Sequence, residues 1–378
     1  MSTIDSTHQR WRELYEDQIG RPRHEVVTPA LLLDLDVARR NIEAMASRFE
    51  ELPANLRPHI KVHKSPHLAR LEVEAGAIGI ACATVWEAQT MAEAGIADVL
   101  IANQVVQPDK VEVLAELCAE HRITVAVDDT RNLRQLDEAV SRAGARLEVL
   151  IEVDVGMGRC GVRTNDQAVA LGRYLQTTSA LQLRGVQGYE GHCMLEPDRE
   201  VRRRETELAN DKLVGAADHL LAQGWPVVDV SGGGTGTYFI TGANPRVTEV
   251  QAGSYTLMDS FHSSLVPGGF EVALTVASTV ISEQGSTVVL DAGRKSVGID
   301  FVVPPLTGST DGVVRFFAEE HCLVDFPGKP QLHLGDTAEL MAGYGPTTVN
   351  LYDVFHVVEG GIVTDIWPVT PRGPGRPG

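Results

Sequence analysis

Between about Arg57 and Ser254, short apolar runs alternate with longer segments in which apolar side chains recur at helical spacing. Apolar runs of about four to eight residues are typical of buried parallel strands. Eight such runs occur, in the order RPHIKVH, IGIACAT, ADVLIAN, ITVAVDD, LEVLIEVDV, LQLRGVQGY, PVVDVSGG and TEVQAGSY. Segments such as VWEAQTMAEAG predict helices between them. The pattern predicts an α/β fold with a (β/α)8 TIM-type barrel, although a doubly wound sheet also fits the alternation.

After about Phe261 the pattern changes to short β-rich runs separated by Gly, Pro and Asp. Runs such as STVVLDAG, DTAELMAG and GGIVTDIWPV predict a C-terminal all-β domain. Near the start, TPALLLDLDVARRNIEAMASRFEE predicts a strand and an amphipathic helix that lead into the barrel. We therefore predict an N-terminal extension (1–27), a barrel (28–262), a β domain (263–370) and a disordered tail (371–378).

Composition narrows the class of protein. The 378 residues are 43% hydrophobic, and 51 acidic residues against 33 basic ones give a net charge of -18. A surface of that sign repels nucleic-acid backbones and anionic membranes, so neither is expected as a partner. The five cysteines form no CxxC pair, which argues against a disulfide framework or a thiolate zinc site. The charged N-terminus does not look like a signal peptide, and we predict a cytoplasmic protein.

A lysine at a strand end is the first candidate for chemistry, because catalytic groups of parallel barrels lie at the C-terminal ends of the strands. Lys61 stands between His59 and His63 in RPHIKVHK. A buried lysine is costly to desolvate, and a lysine with a lowered pKa is a suitable amine for Schiff-base chemistry. The alternative is that RPHIKVHK lies on the surface and binds nothing.

Two glycine-containing loops are the second candidate. SGGGTGT, at 231–237, follows the strand PVVDV, and QAGSY follows the next strand. Consecutive glycines let backbone N–H groups approach an anion, but the loop lacks both the P-loop ending and the dinucleotide-binding glycine spacing. Plain turns are the alternative for either loop alone. Together they favour a phosphate site at the last two strands, as in TIM barrels, and with Lys61 they indicate pyridoxal phosphate.

Several motifs, in order, resemble those of the D-threonine aldolase, D-3-hydroxyaspartate aldolase and D-serine dehydratase family. The motifs are RPHIKVHK, EVDVGMGRCGV, GVQGYEGH, VSGGGTGTY, TEVQAGSYTLMD, VLDAG and the C-terminal WPV followed by PRG. The resemblance runs from about Thr28 to Arg372. It implies an alanine-racemase-like, fold type III enzyme that uses pyridoxal phosphate, acts on an amino acid and forms a homodimer whose partner closes the site.

The resemblance also implies roles for individual residues. Lys61 forms the Schiff base and later carries a proton, and His63, two residues on and on the same face of an extended strand, tunes or relays protons. Tyr189 lies near the cofactor and the reacting carbon. Arg159 faces the cofactor's ring oxygen or the substrate carboxylate. The phosphate is held by Gly234, Thr235, Gly253, Ser254 and Tyr255.

The chain departs from the family at the metal site. Family members carry a His, and two residues on a Cys or Asp, nine and seven positions before an Asp. Counting back from Asp353 gives Tyr344 and Pro346, and neither is a good divalent-metal ligand. We therefore predict no metal site. The expected activity is a lyase, an aldolase or dehydratase, on a D- or related β-hydroxy amino acid. Alternatives are an amino-acid racemase or epimerase, and a catalytically weak protein that binds pyridoxal phosphate.

Overall fold

The computed structural model describes residues 3–308 and 311–373. The chain folds into two compact units. The barrel unit comprises Met45–Lys61 and Ala69–Gly253, and the sheet unit comprises Met1–Ala44, Val62–Leu68 and Ser254–Gly378. This interleaving differs from the continuous ranges predicted from the sequence, because the first strand pairs with strands near the C-terminus. Residues 374–378 of the predicted tail lie outside the described residues.

The secondary structure follows the predicted alternation along most of the chain. The strands are β1 Ala30–Asp34, β2 Asn55–Leu56, β3 Ile80–Cys82, β4 Val99–Ile101, β5 Ile123–Val127, β6 Leu147–Glu152, β7 Leu181–Gln187, β8 Asp229–Gly232, β9 Glu249–Val250, β10 Leu274–Gln284, β11 Thr287–Leu290, β12 Val313–Phe317, β13 Cys322–Asp325, β14 Thr337–Met341, β15 Val354–Glu359 and β16 Ile362–Pro368. The helices are α1 Thr3–Leu14, α2 Leu35–Glu50, α3 Pro66–Glu74, α4 Val85–Glu93, α5 Pro108–Glu120, α6 Thr130–Arg142, α7 Asn165–Leu175, α8 Arg199–Leu221, α9 Tyr238–Thr241, α10 Ser260–Leu265 and α11 Gly345–Val349. None of the helices in this described part of the chain combines the length and apolar character needed to cross a membrane.

The barrel unit contains one parallel sheet in the order β2-β9-β8-β7-β6-β5-β4-β3. A parallel bridge between His59 and Ala81 joins its two ends, because the chain after β2 runs alongside β3. The central strands are buried on both faces, as their continuous apolar runs predict. The predicted eight-stranded barrel is confirmed, and the doubly wound alternative is wrong.

Polar caps fix where the barrel helices begin. The side chain of Thr84 accepts a hydrogen bond from the first turn of α4, and Asp129 and Asp198 do the same for α6 and α8. Thr164 and Gln167 form a reciprocal capping box at α7. Each cap satisfies backbone donors that have no partner within the helix. The helices therefore begin at defined residues: α4 and α6 close to the strands before them, and α7 and α8 after longer loops whose far ends the caps fix.

Ion pairs fill the opposite, N-terminal end of the barrel. Arg57 is only 1% exposed, and its guanidinium donates to Glu249 at 2.8 Å and to Asp98 at 2.7 Å. Arg184 pairs with Glu148 in the same region. Glu249 begins β9 and Asp98 precedes β4, so these charges lie where parallel strands start. That end of a barrel serves stability, and the chemistry belongs at the other end.

The sheet unit contains a mixed sheet in the order β12-β13-β11-β10-β1-β15-β16, with β14 also paired to β10. Its pairs are antiparallel except for β1 with β15. The predicted β-rich C-terminal part is therefore confirmed. The strand at Ala30–Asp34, which the predicted barrel range of 28–262 includes, pairs within this sheet, and the chain then runs through α2 to the first barrel strand. A strand buried on both faces shows the same apolar run in either sheet, so the pattern could not separate the two.

Candidate active site

Lys61 lies just past the last bridge of the barrel, on a 3-10 turn formed by Ile60–Val62. The prediction that it lies in an extended strand is wrong, because the parallel pairing ends at His59 and the chain then turns out of the sheet. The two-residue spacing of Lys61 and His63 therefore does not place them on one face of a strand. Burial lowers the pKa of Lys61 from its ordinary 10.5, the charge of Arg159 lowers it further, and Glu87 raises it. The amine is thus biased towards its neutral, nucleophilic form.

Tyr189 brings together the two cationic side chains that the sequence singled out. The Lys61 Nζ lies 5.4 Å from the centroid of the Tyr189 ring, and the Arg159 Cζ lies 5.5 Å from it. The negative face of an aromatic ring attracts cations at such distances. Arg159 also pairs with the carboxylate of Glu152 at 3.4 Å. The structure therefore places two predicted residues, Lys61 and Arg159, beside the ring of a third, Tyr189.

Two buried peptide groups show that the glycine loops suit an anion. In the described part of the chain, neither the N–H of Gly236 nor that of Gly253 donates to any protein acceptor, although both glycines are buried. Buried backbone donors are nearly always paired, so an unpaired donor in each loop marks a place for a bound acceptor. A Cβ on Gly234 would come within 3.3 Å of the Tyr189 ring. The two loops fit the phosphate group of pyridoxal phosphate. The first loop, through Gly234, borders the Tyr189 ring, which also faces Lys61.

Glu190 holds the first glycine loop in shape. Its carboxylate, in a residue only 2% exposed, accepts from the peptide N–H of Gly233 at 3.1 Å. It also accepts from the hydroxyls of Thr237 and Thr241, both at 2.8 Å. Reasoning from the sequence missed this residue. The available signal was an acid directly after Tyr189 in GVQGYEGH, at the end of a barrel strand.

The remaining predicted residues belong to the sheet unit. His63 is fully buried, and its Nδ1 accepts a hydrogen bond from the peptide N–H of Ser65 at 3.0 Å. Tyr255 is also fully buried, with its ring 5.6 Å from that of Phe270. Ser254 follows Gly253 directly in the chain, so its peptide continues the second glycine loop. The roles that the resemblance implies for these residues remain predictions.

The positions of the family's metal ligands carry an aromatic cluster. The ring of Tyr344 stacks on His262 at 5.7 Å, and the Nδ1 of His262 lies 2.9 Å from Asp259. Burial raises the pKa of Tyr344 to about 12, so its hydroxyl stays protonated at neutral pH. Within residues 3–308 and 311–373, no group of three or more His, Cys, Asp or Glu side chains could hold a metal ion. The absence of a metal from the working enzyme stays a prediction.

Comparison with known proteins places the chain in one family, through matches that cover up to 94% of it. Residues 33–260 match the family model of the alanine racemase N-terminal domain, and residues 273–358 match a serine dehydratase domain. The chain is 36% identical to D-threonine aldolase of Arthrobacter sp, covering 94% of this chain and 95% of that protein. It is 33% identical to 3-hydroxy-D-aspartate aldolase of Paracoccus denitrificans (strain Pd 1222), again covering 94% and 95%.

A comparison with solved structures also points to the D-threonine aldolase family. The crystal structure of D-threonine aldolase from Filomicrobium marinum matches with a TM-score of 0.90 and 36% identity, covering 94% of this chain and 98% of that one. An alanine-racemase-like barrel with a C-terminal β-rich part defines the class, which comprises pyridoxal-phosphate-dependent enzymes. Within it, the chain belongs to the family of D-threonine aldolase and 3-hydroxy-D-aspartate aldolase, and it is a pyridoxal-phosphate-dependent lyase.

Proposed function

We propose that this lyase cleaves the Cα–Cβ bond of a β-hydroxy D-amino acid without a bound metal, and that D-threonine and D-3-hydroxyaspartate are the substrates to test first. The observation that carries the proposal is the Lys61 amine, whose pKa is lowered by burial and by Arg159, beside the Tyr189 ring and a glycine loop. The names of two relatives that match almost the whole chain supply the substrate class.

Pyridoxal phosphate, when bound, supplies an electron sink for the pair released at Cα. Lys61 would hold it covalently through Nζ, and the freed amine, after taking up a proton, would later deliver that proton to Cα. In the overall cleavage the β-hydroxyl loses its proton as the Cα–Cβ bond breaks, an aldehyde forms, and Cα gains a proton to give glycine. Tyr189 would orient the reacting groups, since its ring already faces Lys61.

The anionic groups would be held by a guanidinium and by peptide donors. Arg159 presents a planar donor fork suited to the cofactor's ring oxygen or the substrate carboxylate. The buried N–H groups of Gly236 and Gly253 are ready donors for the phosphate. The phosphate contacts would be completed by Gly234, Thr235, Ser254 and Tyr255. These donors supply local positive potential within a protein of strongly negative net charge.

The metal-free part of the proposal is supported by Tyr344 and Pro346. Proline has no side-chain donor, and the Tyr344 hydroxyl, with its pKa raised to about 12, is a poor anionic ligand at neutral pH. We also propose a homodimer, which sedimentation equilibrium tests directly; a fully active monomer would reject it.

The test is a product panel. Purified protein is incubated with D- and L-isomers of threonine, 3-hydroxyaspartate and serine, and aldehyde, keto acid and chirality are scored separately. We expect aldehyde and glycine from D-isomers, a visible absorbance band that borohydride abolishes, and loss of both in Lys61→Ala. Keto acid with ammonia would show a dehydratase, and inversion without cleavage a racemase. Bound cofactor without any turnover would show a carrier, and colourless protein that cannot be reconstituted would reject the whole proposal.

A further inference from the structure

We propose that Glu152 is a positioning residue, whose buried carboxylate holds the guanidinium of Arg159 over the Tyr189 ring and so keeps that positive charge beside the Lys61 amine. The effect of Glu152 on catalysis rests on the proposed function. The effect of Glu152 on the Lys61 amine does not, because it depends only on contacts among side chains of the barrel unit. Glu152 ends β6, directly before the loop that carries Arg159.

The carboxylate of Glu152 is itself held in place by two amides. Glu152 is only 3% exposed, and its Oε2 accepts from the Gln187 Nε2 at 2.6 Å and from the Gln104 Nε2 at 3.4 Å. Gln187 ends β7, and Gln104 follows β4. Its other oxygen, Oε1, is left to accept from Arg159 at 3.4 Å. One oxygen therefore fixes the acid within the barrel, while the other is aimed at the guanidinium.

Arg159 needs such an anchor because its side chain is 45% exposed. Its backbone is already fixed, since Asp154 accepts from the N–H groups of Gly156 and Gly158 at 3.1 and 2.9 Å. The side chain also borders a cavity of about 500 Å³ whose walls include Asp128 and Asp154. Those carboxylates are alternative partners for a guanidinium released from Glu152. Losing the acid would therefore let Arg159 turn away from the Tyr189 ring.

The direction in which removal of Glu152 shifts the pKa of Lys61 distinguishes a positioning role for this carboxylate from a purely electrostatic one. The charges of Arg159 and Glu87 act on the Lys61 amine, which also faces the Tyr189 ring, and the peptide N–H of Lys61 donates to the Nδ1 of His59 at 3.4 Å. The charge of Arg159 lowers the pKa of Lys61, so moving that charge away should raise it. If Glu152 acted only as a negative charge, removing it would make the surroundings more positive and lower the pKa further. The two accounts predict opposite signs.

The experiment titrates Lys61 without using catalysis. Full-length protein prepared without pyridoxal phosphate is labelled with trace acetic anhydride between pH 6 and 11, and modification of Lys61 is measured by peptide mass spectrometry. The wild type is compared with Glu152→Gln, Arg159→Gln and the double variant. Glu112→Gln, which removes an exposed carboxylate paired with Arg142, is the matched control. Because no cofactor or substrate is used, the result is independent of whether the proposed reaction is correct.

We expect Arg159→Gln to raise the Lys61 midpoint by about half a pH unit or more, which slows labelling roughly threefold at pH values well below the midpoint. Glu152→Gln should shift the midpoint in the same direction, and the double variant should match Arg159→Gln alone. A lowered or unchanged midpoint in Glu152→Gln would overturn the proposal. If Glu152→Gln does not fold, the Lys61 midpoint of Glu152→Asp is measured in its place. That substitution keeps the charge but withdraws the carboxylate, so an unchanged midpoint would equally overturn the proposal.

Discussion

The carbonyl oxygen of His59 occupies the space that a side chain on Gly253 would need. An ideal Cβ built on Gly253 would lie 2.2 Å from that oxygen and 3.0 Å from the carbonyl carbon. The glycine therefore lets the second glycine loop pass directly against the segment that leads into Lys61. The approach is between two backbones, so no flexible side chain can move aside to relieve a clash.

Gly253→Ala should consequently destabilise the protein by about 1–3 kcal/mol or more, because the backbone itself must shift. Urea unfolding monitored by circular dichroism measures the change. Gly215→Ala is the control: Gly215 lies within α8, and a Cβ there meets no atom within 4 Å. That change should stabilise the helix by roughly 0.5–1 kcal/mol. Equal stability of the two variants would contradict the close approach.

Glu190→Gln should loosen the first glycine loop. The carboxylate accepts from one N–H and two hydroxyls, whereas an amide offers one oxygen and turns two further hydrogens towards donors. We expect a loss of about 1–3 kcal/mol in the free energy of unfolding and weaker binding of pyridoxal phosphate. Fluorescence titration of the cofactor and urea unfolding give the two quantities. Glu200→Gln, an exposed acid at the start of α8, should leave both unchanged.

How far the sequence predicts this molecule depends on where each residue's partners lie. The barrel strands are predictable because parallel strands buried on both faces must be continuously apolar. Lys61 is recognisable as a charge at the end of such a run, but its 3-10 turn depends on pairing between His59 and Ala81, which are distant in sequence. Glu152 and Glu190 are ordinary acids in the sequence. Their importance arises from amide, hydroxyl and guanidinium partners that only the fold brings together.

Lys61→Met should stabilise the cofactor-free protein at pH 7. The folded pKa of Lys61 lies below its ordinary 10.5, so the folded protein binds this proton less tightly than the unfolded chain does. The lysine therefore destabilises the fold most at pH values below its folded pKa, and the penalty disappears as the pH rises to about 10.5. Urea unfolding of both proteins across this range should show an advantage for the variant that shrinks with pH. Lys329→Met, at an exposed loop position, should show no such trend. An advantage that stays constant up to about pH 10.5 would contradict a lowered pKa.

Removal of metal should leave the activity unchanged. Tyr344 and Pro346 stand where the family pattern has a His and a Cys or Asp, and Tyr344 keeps its proton at neutral pH because burial raises its pKa to about 12. Enzyme dialysed against a chelator should therefore cleave substrate at the rate of untreated enzyme, and added manganese or zinc should not raise that rate. The double change Tyr344→His and Pro346→Cys supplies the comparison, since it restores two ligand types and should make the rate respond to added metal. Activity of the wild type that disappears with the chelator and returns with manganese would show that a metal binds through other residues.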